Sequence, residues 1–193
     1  MLGQDASDEL LRPLRELGPQ MDTFATIPVR ELEHLHMDPK QPVPGASDGI
    51  VLADLNDAAI DALVQTAGAD AQSPLLSVEL RHAGGALARK ASGGGAVSAI
   101  EGRFLMNAVG MAPTAEAGAA VRAHIELVQS ALARWDSGRA FSNFATKRER
   151  GERLFGDVTY RRLQAVKAAV DPDDVFRSNH PVRLPAAEVR QAA

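Results

Sequence analysis

Stretches with the alternating apolar pattern of a β-strand are few in this chain, and long helical patterns separate them. Residues 75–82 form the clearest strand, because Leu76, Val78 and Leu80 place apolar side chains on one face. Residues 103–111 predict another strand and residues 50–55 a shorter one. The pattern alone fits both α/β and α+β folds. We favour an α+β fold, in which helices cover one face of an antiparallel sheet and a C-terminal helical segment follows.

The region before these strands predicts one helix and two irregular stretches. Ser7 is a candidate N-cap, after which leucines recur at helical spacing. Pro13 lies inside this pattern and predicts a kink or a restart. Residues 21–27 are partly β-like, and residues 38–49 contain enough proline and glycine to predict a loop.

Three further helices are predicted between and after the strands. Asn56 is the expected cap of the first, and residues 115–134 form the second and longest. A loop is expected over residues 135–147. Asp157 is the expected N-cap of the last helix, which the Asp171-Pro172 dipeptide should end.

Composition excludes several classes of function. The 193 residues carry a net charge of -4, so no strong positive field favours nucleic acid. The absence of cysteine excludes disulfides, thiol catalysis and thiolate metal sites within this sequence, and it fits a cytoplasmic protein. No apolar run approaches the roughly 20 residues that span a bilayer. The N-terminus has no signal-peptide pattern. It enters a helix-like segment almost at once, so we expect an upstream part to be missing.

Common catalytic and binding motifs give little support for other functions. The three glycines at residues 93–95 lack the lysine and hydroxyl residue of a phosphate-binding loop, and they predict a flexible hairpin. His34 and His36 lie two residues apart, a spacing that does not converge on one metal ion from a helix. No Ser-His-Asp arrangement is indicated by order or context.

Three stretches are more distinctive. In residues 78–87, VELRHAGGAL, a strand runs into a double glycine that allows close backbone approach. In residues 140–144, AFSNF, two aromatic residues flank an amide. Residues 160–167, YRRLQAVK, form a helix that leads into residues 171–182, DPDDVFRSNHPV. By chemistry alone, each of these could be purely structural.

Together the three stretches resemble the C-terminal part of the berberine-bridge-enzyme-like family of FAD-linked oxidoreductases. The last resembles the family's Y-x-R-L-x-x-V-K helix followed by D-P-x-x-x-F-R, the second its Y-x-N-[YF] loop, and the first its R-x-G-G-A segment. The order and spacing also match. The resemblance covers nearly the whole chain, most strongly residues 75–182, and we expect a bacterial member of the family.

The resemblance implies two domains with different roles. The family pairs an N-terminal FAD-binding domain, which has no counterpart in this sequence, with a substrate domain whose antiparallel sheet covers the flavin. We expect residues 1–134 to form this substrate-type domain, residues 135–182 a segment that docks on the FAD domain, and residues 183–193 a flexible tail. Implied partners are FAD, an FAD-binding domain upstream or on a separate chain, and a small-molecule substrate, and a homo-oligomer is left open. The alternative is a non-catalytic remnant or a free-standing α+β interaction module.

The resemblance also implies candidate site residues. Asn143 and Asn179 are expected to be flavin-side or structural amides. Phe141 and Phe144 are expected to form the wall of the substrate pocket, and Asn107 to point at the flavin ring. The family often has tyrosine where Phe141 and Phe144 stand, and phenylalanine has no hydroxyl with which to move a proton.

Overall fold

The computed structural model describes residues 3–36 and 39–184 and separates the chain into two compact units, residues 1–42 and residues 43–193. The first unit contains helix α1, Gln4–Arg15, and a 3-10 helix, Val29–His34. Residues 21–27 form no strand, so the partly β-like interpretation was wrong. The described part of this unit contains no other strand with which they could pair.

Helix α1 departs from its predicted start. Gly3 occupies the N-cap position, and the Ser7 hydroxyl instead donates to the Gly3 carbonyl at 3.1 Å from within the helix. The helix continues through Pro13 and ends at Arg15. Its leucine stripe stays exposed: Leu10, Leu14 and Leu17.

The second unit is built on a three-stranded antiparallel sheet, which confirms the predicted α+β class. Its strands are β1, Gly45–Leu52, β2, Leu75–His82, and β3, Phe104–Met111, in the order β1-β3-β2. Strand β2 has the bounds that its alternation predicts. Strand β1 begins at Gly45, well before residue 50, because its glycine-containing first half pairs with β3 from Gly45 onward.

Two helices cover one face of this sheet. Helix α2, Asp57–Ala67, begins where the Asn56 side chain accepts from the Ala59 amide at 3.1 Å, which confirms the predicted cap. Helix α3, Ala115–Ala131, is shorter than predicted because its last turn tightens into the 3-10 helix Ala133–Trp135. The core between helices and sheet contains Leu52, Met106, Ala108, Val121, Ile125, Val128 and Leu132, all nearly inaccessible to solvent.

The C-terminal region adds helices α4, Gly151–Phe155, and α5, Asp157–Val170. Helix α4 was not predicted, since five residues give too short a periodic pattern. The N-cap of α5 is Gly156, with φ at 73°, and Asp157 is instead the first helical residue. Asp171 is the C-cap, as the Asp-Pro dipeptide predicts.

Two predictions concern the C-terminal tail and the absence of membrane-spanning segments. Residues 185–193 of the predicted flexible tail lie outside the described residues. Of the tail's first residues, Arg183 donates its amide to the Tyr160 hydroxyl at 3.2 Å. Within the described ranges, no helix has the length and apolar character needed to span a bilayer.

Candidate functional site

The sheet has a second face, turned away from α2 and α3, which we call the far face. Successive side chains of a strand point to opposite sides, so the residues between the core positions lie here. They are Ser47, Gly49 and Val51 of β1, Leu105, Asn107 and Val109 of β3, and Ser77, Glu79 and Arg81 of β2. The residues contributed by β2 are exposed, so this face is accessible along that strand.

The two predicted pocket aromatics pack at one end of the far face. Phe141 and Phe144 lie edge to face, with ring centroids 5.2 Å apart and planes at 80°. Both rest against a small buried cluster of Val51, Ala83 and Leu105. The amide of Phe144 donates to the Phe141 carbonyl at 3.0 Å, which closes the turn between them. The structure therefore brings these two rings together as one aromatic wall.

Gly49 allows the wall to approach the sheet. A Cβ placed on Gly49 would lie 2.7 Å from the Cβ of Phe144 and 2.7 Å from the Met106 carbonyl oxygen. Any residue larger than glycine must displace the loop or the neighbouring strand. Close contact between Phe144 and β1 thus depends on this glycine.

A fixed cation lies beside the wall. The Arg81 guanidinium is 5.1 Å from the centroid of the Phe144 ring, a cation–π distance. The same guanidinium donates to both carboxylate oxygens of Glu79, at 2.5 and 3.0 Å. These hydrogen bonds hold the pKa of Arg81 above its usual value. The far face therefore carries an oriented ion pair next to an aromatic surface.

Asn107 lies at the centre of the far face, on the middle strand. It stands opposite Gly49 on β1 and opposite Glu79 on β2. Its Oδ1 atom is buried and has no hydrogen-bond partner in the described part of the chain. An unpaired buried acceptor costs roughly 1–3 kcal/mol, so a group that supplies a donor here would be stabilised.

The other two predicted amides lie on the surface. Asn143 is exposed and accepts from the Ser142 hydroxyl at 3.2 Å. Asn179 is also exposed, and among the described residues it makes no hydrogen bond. Neither position tests the predicted flavin contact, which remains a prediction for both residues.

The residue after Asn179 makes the connection that sequence reasoning missed. The Nε2 atom of His180 lies 3.0 Å from the Ala145 carbonyl, and its Nδ1 accepts from the Glu149 amide at 3.3 Å. These contacts fit a neutral ring protonated at Nε2. His180 thereby ties the end of the chain to the loop that carries the aromatic wall. The only sequence signal was the Asn-His-Pro triplet itself.

A partly buried ion cluster fixes the turn after α5. The Asp171 carboxylate accepts from the Val175 amide at 2.8 Å and pairs with Lys167, which also reaches Asp174 at 2.6 Å. The hydrogen bond from Lys167 lowers the pKa of Asp171, and the bonds to Asp171 and then Asp174 raise the pKa of Lys167. This cluster directs the chain back toward His180.

The loop that carries Phe141 and Phe144 is held by hydrogen bonds to β1 and by an ion pair to Glu101. Thr146 donates its hydroxyl to the Ser47 carbonyl at 2.5 Å and its amide to the Asp48 carboxylate at 3.2 Å. Arg139 pairs with Glu101 at 2.5 Å. A cavity of about 110 Å³ lies between this loop and residues 96–101. Its lining combines apolar and charged side chains: Val51, Ile100, Phe141, Leu154, Lys90, Glu101 and Arg139.

Comparisons with known proteins agree with the resemblance found in the sequence. Residues 140–183 match the family model described as "Berberine and berberine like". The fold is similar to that of Physcomitrella patens BBE-like 1 in its wild-type form, with a TM-score of 0.66 and 13% identity. A variant of that protein gives a TM-score of 0.65 and 14% identity. Both likenesses cover 95% of this chain and 43% of the other. No curated protein gave a significant sequence match.

The two kinds of match carry different weight. At this level of identity the solved structures show the shared fold, which extends over almost the whole chain. The family model identifies the C-terminal segment that contains the aromatic wall and His180. The chain spans less than half the length of the solved structures.

Proposed function

We propose that this chain is the substrate-side part of an FAD-linked oxidoreductase of the berberine-bridge-enzyme-like family, because its residues 140–183 match the model of that family. In this proposal the far face and the aromatic wall cover the flavin ring and shape the substrate pocket. FAD, when bound, supplies the acceptor for a hydride that leaves a substrate carbon, and dioxygen or another acceptor reoxidises it.

The observation that carries the proposal is the match of residues 140–183, which contain the aromatic wall, to the family model. Asn107 adds a chemical argument: a flavin ring presents an N–H donor, and the buried Oδ1 atom of Asn107 has no donor within the described part of the chain. The contact requires that docking uncover this atom. Phe141 and Phe144 would exclude water from the reacting centre and pack against apolar parts of the substrate. Both the chemistry of the far face and the family match therefore support the proposal.

In this chain, a tyrosine of the loop that carries the aromatic wall cannot take a proton from the substrate. Phe141 and Phe144 have no hydroxyl, and Tyr160 is the only tyrosine of the sequence. The Tyr160 hydroxyl already accepts from the Arg183 amide in the C-terminal segment. We therefore propose that the wall positions the substrate without exchanging protons with it.

The proposal is tested by adding an FAD-binding domain. The chain alone is expected to purify without colour, because the phosphate and adenine contacts of FAD are proposed to lie in an FAD-binding domain. Co-expression with such a domain should give a stable yellow complex whose flavin is reduced by substrate. A stoichiometric flavin spectrum from the chain alone, or the absence of any complex, would contradict the proposal. A complex that holds flavin but accepts no substrate hydride would favour the non-catalytic remnant.

Substitution of Asn107 separates a flavin contact from a structural role. Asn107→Ala removes an acceptor that has no partner in the chain, so the melting temperature of the isolated protein should stay constant or rise slightly. In the complex, the same change should weaken flavin binding. Gln65→Ala, at an exposed position of α2 on the opposite side of the sheet, is the control and should change neither.

Asn143 and Asn179 are tested in the same complex. If either amide contacts flavin, its replacement by alanine should slow turnover and leave the melting temperature unchanged. If either is structural, the melting temperature should fall. A variant that changes neither quantity would remove that residue from the site.

A further inference from the structure

The two edges of the sheet differ in their hydrogen bonding: the edge of β1 is closed and the edge of β2 is open. On the outer edge of β1, three successive outward carbonyls each accept a hydrogen bond at 2.5–3.1 Å: Ser47 from Thr146, Gly49 from Gln129, and Val51 from the Ser137 amide. The Ala53 amide, just beyond the strand, donates to the Trp135 carbonyl at 2.8 Å. Side chains and a short backbone bridge thus close this edge.

The outer edge of β2 is open. The Ala83 amide donates to the Arg103 carbonyl at 2.8 Å, so this residue pair is hydrogen-bonded toward β3. Hydrogen-bonded and non-hydrogen-bonded pairs alternate, which turns the backbone groups of Val78, Leu80 and His82 outward. Within residues 43–184, the described part of the second unit, no hydrogen bond reaches these outward groups. Such a row of unpaired groups is a template for another strand.

We propose that a second copy of this chain occupies this edge, with its own β2 antiparallel to the first. The two sheets then form one continuous sheet across a two-fold axis. The interface is isologous, since the same strand contributes from each copy. The proposal does not depend on flavin binding, because the strand pairing uses backbone groups at the edge of the sheet; the far-face residues Glu79 and Arg81 set only its register.

Charge selects the register of this pairing. Outward residues must face outward residues, which leaves two registers centred on residues 77–82, the part of β2 that pairs regularly with β3. With the axis at Leu80, Glu79 of each copy stands opposite Arg81 of the other. With the axis at Glu79, the two Glu79 carboxylates face each other, and like charges directly opposite are destabilising. The sequence of β2 is therefore self-complementary in one register and self-repelling in the other.

The selected register also matches the remaining side chains. The Glu79 and Arg81 pairs are the non-hydrogen-bonded ones, in which side chains lie closest. On the helix side, the half-buried Leu80 meets Leu80 of the second copy. A single strand pair gives a modest interface, so the dimer should depend on protein concentration.

The first test measures dimerisation of the full chain by sedimentation equilibrium across a concentration series. Glu79→Arg should weaken the dimer roughly tenfold, because it turns two opposite-charge pairs into two like-charge pairs. The double variant Glu79→Arg with Arg81→Glu restores opposite charges across the axis and should restore the dimer. Glu116→Arg makes the same charge change on exposed α3 and should have no effect.

The second test locates the contact by amide hydrogen exchange. The amides of Val78, Leu80 and His82 should become protected as concentration rises, whereas those of Glu79 and Arg81, which bond to β3, should be protected throughout. A protein that stays monomeric, a dimer indifferent to Glu79→Arg, or a dimer without protection of the outward amides would each overturn the proposal. Protection that appears only on addition of an FAD-binding domain would assign the edge to that domain instead.

Discussion

Gly49→Ala tests whether the aromatic wall depends on close approach to β1. The new Cβ would lie 2.7 Å from the Phe144 Cβ and 2.7 Å from the Met106 carbonyl oxygen. Both distances are below any ordinary contact. The carbonyl belongs to the central strand β3, which is paired on both sides, so the loop that carries Phe144 should move more easily. Overpacking of this kind costs about 1–3 kcal/mol.

The assay is denaturant unfolding, followed through Trp135, together with the ring signals of Phe141 and Phe144 in NMR spectra. Gly45→Ala is the matched control on the same strand, because its Cβ would meet only the Gly110 carbonyl oxygen at 3.5 Å, an ordinary contact. Gly49→Ala should lower the free energy of unfolding by about 1–3 kcal/mol more than Gly45→Ala and shift both ring signals. Equal stability of the two variants with unshifted rings would refute the reasoning.

Three further outcomes are expected. Lys167 lowers the pKa of Asp171, so this carboxylate contributes stability above its unfolded pKa of about 3.9 and loses it as pH falls through the lower folded value. Lys167→Met should reduce that acid-dependent loss in a series of unfolding curves at different pH, because only the hydrogen bonds from the Val175 and Phe176 amides would still lower the pKa of Asp171. His180→Ala leaves the Glu149 amide without its acceptor, and should lower stability by about 1–2 kcal/mol and speed hydrogen exchange at Glu149. The exposed leucine stripe of α1 should bind a hydrophobic dye, and weak dye fluorescence at native pH would contradict this.

Local patterns predicted the parts of the fold that depend on local causes. Strand β2 alternates cleanly, and Asn56 has the side chain that a helix N-terminus requires, so both were predicted correctly. The first half of β1 has no such signal, because residues 45–49 become a strand only by pairing with β3. Ser7 and Asp157 are residue types that often cap helices, but the N-cap residues in the structure are Gly3 and Gly156.

In the candidate site, too, some residues could be predicted from the sequence and others could not. The family resemblance pointed to Phe141 and Phe144, and the structure brings these rings together. His180 was missed because its two partners lie 31 and 35 residues earlier in the chain, and no local pattern encodes such contacts. The unpaired acceptor of Asn107 could likewise be found only once the neighbouring strands were in place.

The most direct test of the proposed function is to titrate the isotope-labelled chain with an FAD-loaded FAD-binding domain and to follow its NMR spectrum. Covering of the flavin by the far face predicts that the Asn107 side-chain amide and the rings of Phe141 and Phe144 shift on binding, whereas the solvent side of α2 and α3 does not. The Asn107→Ala variant should bind more weakly. No binding, or shifts confined to α2 and α3, would contradict the proposal that this face covers the flavin.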